Sequence, residues 1–315
     1  MGRFVLGRLA SSALVFVAVT MFVFVAFFAM PRDNSDFTRR TPSQYRLHGA
    51  IAGEYAHYVW RIVAHGDFGR SYGTRERVTT RLLRAAPVTL SLVAGGLVVW
   101  LFIAIPLGML AALRPRSFLD RGATFFVLLA LSIHPVVLGL VLSYLLGDRL
   151  ELLPAHGYCS IDNLSTGCDG LSHWASHLIL PWLTFGIVNA ALFTTMVRAL
   201  VIEELEEEYV RTALAKGAGS LRILRKHLLR NVTLPLVTML GVQAGTSLAG
   251  VIFVETTFDL PGLGGMLRRA AQTKDLPLVA GSVVLLATAI VVINLIVDIA
   301  YAMLDPRIRL QTKTT

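Results

Sequence analysis

The chain has 315 residues and a net charge of +9, and 55% of its residues are hydrophobic, with a mean hydropathy of +0.64. That is too apolar for the surface of an ordinary soluble domain and indicates an integral membrane protein. The basic residues are spread along polar loops and follow no RNA- or DNA-binding motif, so the charge gives no reason to expect a nucleic-acid partner.

A bilayer core of about 30 Å takes about 20 apolar residues per helix. Six stretches reach or approach that length: residues 9–30, 88–113, 122–147, 178–197, 234–254 and 276–303. The predicted fold class is therefore all-α, a polytopic protein with six transmembrane helices. Arg3 and Arg8 precede the first stretch as they would in a secretion signal. However, the apolar run is 22 residues long, and Ala26 to Ala29 offers no small-x-small cleavage site, so the segment is read as a retained helix. The organisation expected is a tail and first span over 1–30, an extramembrane loop over 31–87, and a core of five spans over 88–315.

Within the 31–87 loop, Tyr55, Val59 and Ile62 recur at helical spacing beside Tyr58 and Trp60, which suits a helix at the lipid–water interface. The stretch HGDFGRSYGTRERV (65–78) is glycine-punctuated and charged, hence a turn or loop. Pro106 and Pro135 are expected to kink the second and third spans. Cys159 and Cys168 lie together in the loop after the third span, where three states stay open: a disulfide, two free thiols, or zinc with His156, His173 and His177. No C-x-x-C pair occurs and the His spacing is irregular, so no metal site is assigned. Gly241, Gly245 and Ala249 give the fifth span a small-residue face that lets another helix approach closely.

In the last span Asn294, Asp298, Tyr301 and Asp305 step by four, three and four along one face. An Asp well inside lipid costs about 3 kcal/mol on insertion scales, so this polar stripe should face protein or water. It reads either as a structural hydrogen-bonding face or as a proton relay.

Six spans put both termini on one side. Among the short loops, 114–121 and 198–230 hold ten Lys or Arg, and the two later loops of the opposite side hold four. The positive-inside rule weighs such loops most heavily and places the termini in the cytoplasm. No phosphate-binding loop of the Walker type occurs, nor H-E-x-x-H nor G-x-S-x-G, so nothing supports an enzyme.

The charged interruption at 198–230 holds seven Lys or Arg and five Glu. Leu205, Tyr209, Ala213 and Leu214 form one apolar stripe, and Leu221, Leu224, Leu228 and Val232 a second. Gly217 and Gly219 between them permit a sharp turn, and Ser220 can cap the second helix. Two short amphipathic helices at an angle are predicted over 198–232.

YVRTALAKG followed by HLLRNVTLP resembles the cytoplasmic loop of ABC-importer permeases, in the form of the oligopeptide, dipeptide and nickel branch. Arg211, Thr212, Ala213 and Gly217 occupy the places of that family's Glu-Ala-Ala, three residues, then Gly. GDFGRSY (66–72), VETTFDLPGLGGML (254–267) and NLIVDIAYAMLDPRIRL (294–310) resemble the B-type, or first, permease of dipeptide and oligopeptide systems. MPRDN after the first span, and His134 before Pro135, depart from the family pattern on the outer side.

The resemblance implies a permease subunit translocating dipeptides or oligopeptides across the cell membrane. It would be paired with a second homologous permease, two ATPase subunits that bind ATP and magnesium, and an extracytoplasmic substrate-binding protein. No cofactor is implied in this chain itself. Tyr209, Val210, Arg211, Thr212, Ala213, Lys216 and Gly217 would form the loop that couples to an ATPase. Glu255, Asp259, Pro261, Gly262 and Gly264 would form an outer gate or a binding-protein contact, or else an ordinary interfacial turn. Nickel, a glutathione-like compound or an oligosaccharide remain alternative cargoes. A carrier driven by an ion gradient through Asp298, and a scaffold without transport, remain alternative classes.

Overall fold

The computed structural model describes residues 2–26, 51–159, 170–215 and 229–304. Among these residues the fold is helical and has no strand: α1 (Gly2–Phe24), α2 (Ile51–His65), α3 (Val78–Leu113), α4 (Phe118–Ser132), α5 (Pro135–Leu142), α6 (Leu171–Leu205), α7 (Glu208–Ala215), α8 (Leu229–Ser247), α9 (Val251–Thr257), α10 (Leu263–Gln272) and α11 (Leu276–Leu304). A π-helical turn, Ser143–Arg149, continues α5, and a short 3₁₀ turn, Leu248–Gly250, joins α8 to α9. Among the described residues five helical runs are long and apolar enough to cross a membrane, with α8 and α9 counted as one run, and six crossings result if α4 and α5 together make another.

α4 and α5 are bent by 105° with respect to each other, so Pro135 breaks the third span where a kink was expected. The reason is local. Proline disfavours helical backbone in the residue before it and is well placed at a helix start. Ile133 and His134 accordingly adopt extended backbone, and His134 caps α5 by accepting from the Val136 amide through Nδ1 at 3.3 Å. The broken pair still joins opposite ends of the bundle. Asp120 at its start is bonded to Arg198 near the end of α6, and Gly139 lies against Thr257 and Phe258 at the end of α9. Pro106, by contrast, leaves α3 continuous, as does Pro87.

α3 and α6 form the most extensive helix pair. Trp100 and Phe193 meet edge to face at 5.4 Å in its buried centre, and Trp182 Nε1 donates to the Ser91 carbonyl at 2.9 Å. Close approach depends on absent side chains: a Cβ at Gly108 would stand 2.8 Å from the Thr194 carbonyl oxygen. α8 and α11 meet in the same way, with Gly241 against Val297 and Gly245 against Asn294. The small-residue face of the fifth span is thus a helix-packing face, and lipid supplies no hydrophobic drive to replace it.

α1 and α11 run antiparallel. Val23 packs on Ala280 and Val284 at one end, and Arg8 pairs with Asp298 at 3.3 Å at the other. α2 folds onto the far end of α1 through Tyr58 and Ile62, with Tyr55 and Val59 beside them, so the apolar stripe predicted for the lipid interface faces protein. Trp60 and Val63 are the large apolar residues that α2 exposes. Gly108→Val should cost about 1–3 kcal/mol by overpacking. The check is the thermal unfolding midpoint in detergent, which should fall by several degrees and stay unchanged for Gly122→Ala, where a Cβ meets nothing.

Candidate functional site

The end of the bundle that carries Arg8 and Asp298 also carries the charged loop. α6 runs on to Leu205, so residues 198–205, predicted as part of the loop, belong to the long helix. The chain then turns at Glu206 and Glu207 and enters the two-turn helix α7. Three side chains fix the elbow. Tyr209 Oη donates to Glu204 Oε1 at 2.5 Å, and Asn231 Nδ2 donates to the same carboxylate oxygen at 2.7 Å and to the phenol at 3.1 Å. One carboxylate thereby ties the end of α6, the start of α7 and the start of α8. Burial, and then the bond to Glu204, push the Tyr209 phenol up to about 12, which keeps it a neutral donor at physiological pH.

Val210 of α7 is fully buried, while Arg211 and Thr212 face solvent. Of the predicted coupling residues, then, Tyr209 and Val210 anchor the helix and Arg211 and Thr212 present its free face. Ala213 lies in the last turn of the same helix, and Lys216 and Gly217 lie outside the described residues, as do Leu221, Leu224 and Leu228 of the second stripe. A second joint lies nearby. Asp120 takes Arg198 in two bonds, 2.7 Å to Nε and 3.1 Å to Nη2, and also accepts from the Arg116 amide at 2.9 Å. It locks the turn between α3 and α4 to α6.

The opposite end is built around two buried carboxylates. Glu255 of α9 is wholly inaccessible. Its Oε1 accepts from Thr89 Oγ1 of α3 at 2.5 Å and its Oε2 from the Gly265 amide at 2.9 Å. Thr89 in turn accepts from the Leu263 amide at 2.8 Å. These amides are the unpaired donors of the first turn of α10, so Glu255 caps that helix from within the fold. The glycines of PGLGG are explained by this packing. A side chain at Gly262 would overlap the carboxylate, a Cβ at Gly264 would stand 2.7 Å from the Ile252 Cα, and one at Gly265 would stand 2.8 Å from the Leu260 oxygen.

Asp259 and Pro261 are exposed at the turn, and Asp259 adopts left-handed backbone with φ 51° and sits 3.7 Å from Arg269. Asp275, buried between α10 and α11, takes the Ser71 hydroxyl and the amides of Tyr72 and Gly73, at 3.1 and 3.4 Å. GDFGRSY is thereby bound to the start of the last helix. Between these two latches opens a cavity of about 860 Å³, walled by Arg81, Arg84, Tyr158, Trp174, Pro261 and Arg269 among others. Cys159 beside it is buried and disulfide-bonded, and Cys168 lies outside the described residues.

Residues 104–310 match the family described as binding-protein-dependent transport system inner membrane component. The chain belongs to this family. It is also similar along nearly its whole length to curated relatives. One is the probable peptide ABC transporter permease protein y4tP of Sinorhizobium fredii, 31% identical over 98% of this chain and 100% of the relative. Others are the dipeptide transport system permease protein DppB of Escherichia coli, 33% identical over 98% of both chains, and the di/tripeptide transport system permease protein DppB of Pseudomonas aeruginosa, 33% identical over 98% of this chain and 99% of the relative.

Both joints at the elbow, Glu255 and Asp275 lie inside the residues that match the inner membrane component family, whereas Ser71 and Thr89 lie before them. Of the polar stripe on α11, Asn294 meets Gly245 and Asp298 meets Arg8; Tyr301 is in the same helix and Asp305 lies outside the described residues. Glu204, Asn231, Asp120, Arg198, Thr89 and Asp275 are functional-site neighbours that the sequence patterns did not single out. Two of them carried a signal: Ser117-x-x-Asp120 has capping-box spacing, and Asp275 stands where a cap precedes Leu276 and Pro277.

Glu255→Gln leaves one buried donor facing an amide nitrogen, a change worth about 1–3 kcal/mol. The unfolding midpoint should drop and proteolysis at the 258–265 turn should accelerate, measured on the purified chain. An unchanged cleavage rate would show that the carboxylate does not hold the turn.

Proposed function

We propose that this chain is the transmembrane permease subunit of a peptide-importing ABC transporter. It acts with a second, homologous permease, two ATPase subunits that bind ATP and magnesium, and an extracytoplasmic substrate-binding protein. The observation that carries this is the likeness to permeases named for dipeptides over 98% of both chains, which takes in the elbow and both far-end latches. The elbow lies in the cytoplasm together with both termini, consistent with the ten basic residues of the two short loops at that end.

The exposed face of α7, with Arg211 and Thr212, docks in a cleft of an ATPase subunit. ATP-driven closure of the ATPase pair moves α7. Because Glu204 fastens α7 to both α6 and α8, the two long helices tilt with it. The far-end turn at 259–262 faces the binding protein through Asp259 and Pro261, while Glu255 supports it from inside.

A self-contained carrier coupled to ions through Asp298 has less support, because that carboxylate is engaged by Arg8. The decisive assay is uptake of a labelled dipeptide by proteoliposomes holding the assembled complex. ATP-dependent uptake is expected, and Gly217→Arg should lower peptide-stimulated ATP hydrolysis and uptake at least tenfold with the complex still assembled. Uptake by this chain alone under an ion gradient, or full activity of Gly217→Arg, would overturn the proposal.

A further inference from the structure

A second cavity, of about 480 Å³, lies at the outer surface where α2 meets the loop leading to α3. Its walls include Arg61, Arg70, Arg77 and His65, and among the described residues that line it Asp67 is the only acidic one. Asp67 is engaged locally, its Oδ1 accepting from the Gly69 amide at 2.9 Å. Neither Arg61 nor Arg77 makes an ion pair among the described residues, and Arg61 Nε is buried without a hydrogen-bond partner there. A buried guanidinium donor left unpaired is costly, and the groups that best satisfy such a cluster are phosphate oxygens.

The position of the cavity selects the kind of phosphate. Trp60 and Val63, on the turns of α2 that flank Arg61, are 63% and 66% exposed. Trp60 and Val63 are the exposed large apolar side chains of α2, and an exposed Trp beside an exposed Val suits the headgroup layer, where the indole sits among the lipids. The cavity therefore opens at headgroup depth, with an apolar surface beside it for acyl chains. Its rigidity is built in, because Thr79 Oγ1 donates to the Gly66 carbonyl at 2.5 Å and the Arg70 and Arg77 backbones pair across the loop.

We propose that this basic cavity binds the phosphate headgroup of an anionic phospholipid, with Arg61 and Arg77 as its principal ligands. The site is separate from the elbow and from the cavity between the far-end latches. The lipid would hold α2 and the 66–77 loop against the membrane next to Ser71, whose hydroxyl is bound to Asp275.

The test is native mass spectrometry of the full-length chain, titrated with phosphatidylglycerol, with phosphatidylcholine of the same acyl chains, and with inorganic phosphate. Phosphatidylglycerol should be retained in preference to the other two. At about 1 kcal/mol for each basic side chain near anionic lipid, the double variant Arg61→Gln/Arg77→Gln should bind it roughly 30-fold more weakly. Thr80→Glu, which adds a negative charge at the exposed rim and leaves the arginines in place, should weaken it in the same direction if the double variant fails to fold. Equal retention of phosphatidylcholine, equally tight binding of free phosphate, or undiminished phosphatidylglycerol binding in the folded variants would each overturn the site. Variants that kept the lipid and lost docking of a water-soluble partner would show the arginines to be a protein contact, and would overturn it too.

Discussion

A carboxylate cannot be left alone in or beside a bilayer, and the way this chain meets that constraint gives it a definite shape. Glu255 is capped by Thr89 and the first turn of α10, Asp275 by the 71–73 turn, Asp120 by Arg198, and Glu204 by Tyr209 and Asn231. Each pairing joins segments that are distant in sequence or separated by a turn. Apolar helices in lipid have no hydrophobic reason to keep one mutual register, because acyl chains solvate their surfaces as well as another helix does. The polar joints and the glycine contacts at Gly108, Gly241 and Gly245 supply the register instead.

The joints fall at the two ends of the bundle, and the same helices connect them. The α8–α9 unit carries Asn231 of the elbow at one end and Glu255 of the far latch at the other, and α6 carries Glu204 and Arg198 at one end and Trp174 and Trp182 towards the other. On the proposed function, a displacement of α7 is carried along α6 and α8 towards the α10 turn. The 3₁₀ turn at Leu248–Gly250 is the one departure from α-helix within the α8–α9 unit, and a bend there would let its two halves move unequally.

The crossings were legible in the sequence because long apolar runs leave few alternatives to helix. The resemblance carried by YVRTALAKG and VETTFDLPGLGGML also located the elbow and the far turn. The joints were not legible. Nothing in the EELEEE run (203–208) separates Glu204 from its four fellow Glu residues, since its role depends on Asn231, 27 positions away. Thr89 is an unremarked hydroxyl in an apolar span until Glu255 and Leu263 are folded against it. Pro135 was read as a kink, and the full break appears only with the cap from His134 and the packing of Gly139 on Thr257 and Phe258. The helical stripe of α2 was legible as a period but not as a direction, because periodicity does not say whether protein or lipid covers it.

The mechanical proposal rests on which compartment holds the elbow. The most direct measurement is labelling of Arg211→Cys, on the exposed face of α7, by a membrane-impermeant maleimide in intact cells and in inverted membrane vesicles. Modification in the inverted vesicles, with intact cells protected until they are permeabilised, is the expected result. Modification in intact cells would place α7 outside the cytoplasm, beyond the reach of any ATPase, and would contradict the proposed mechanism.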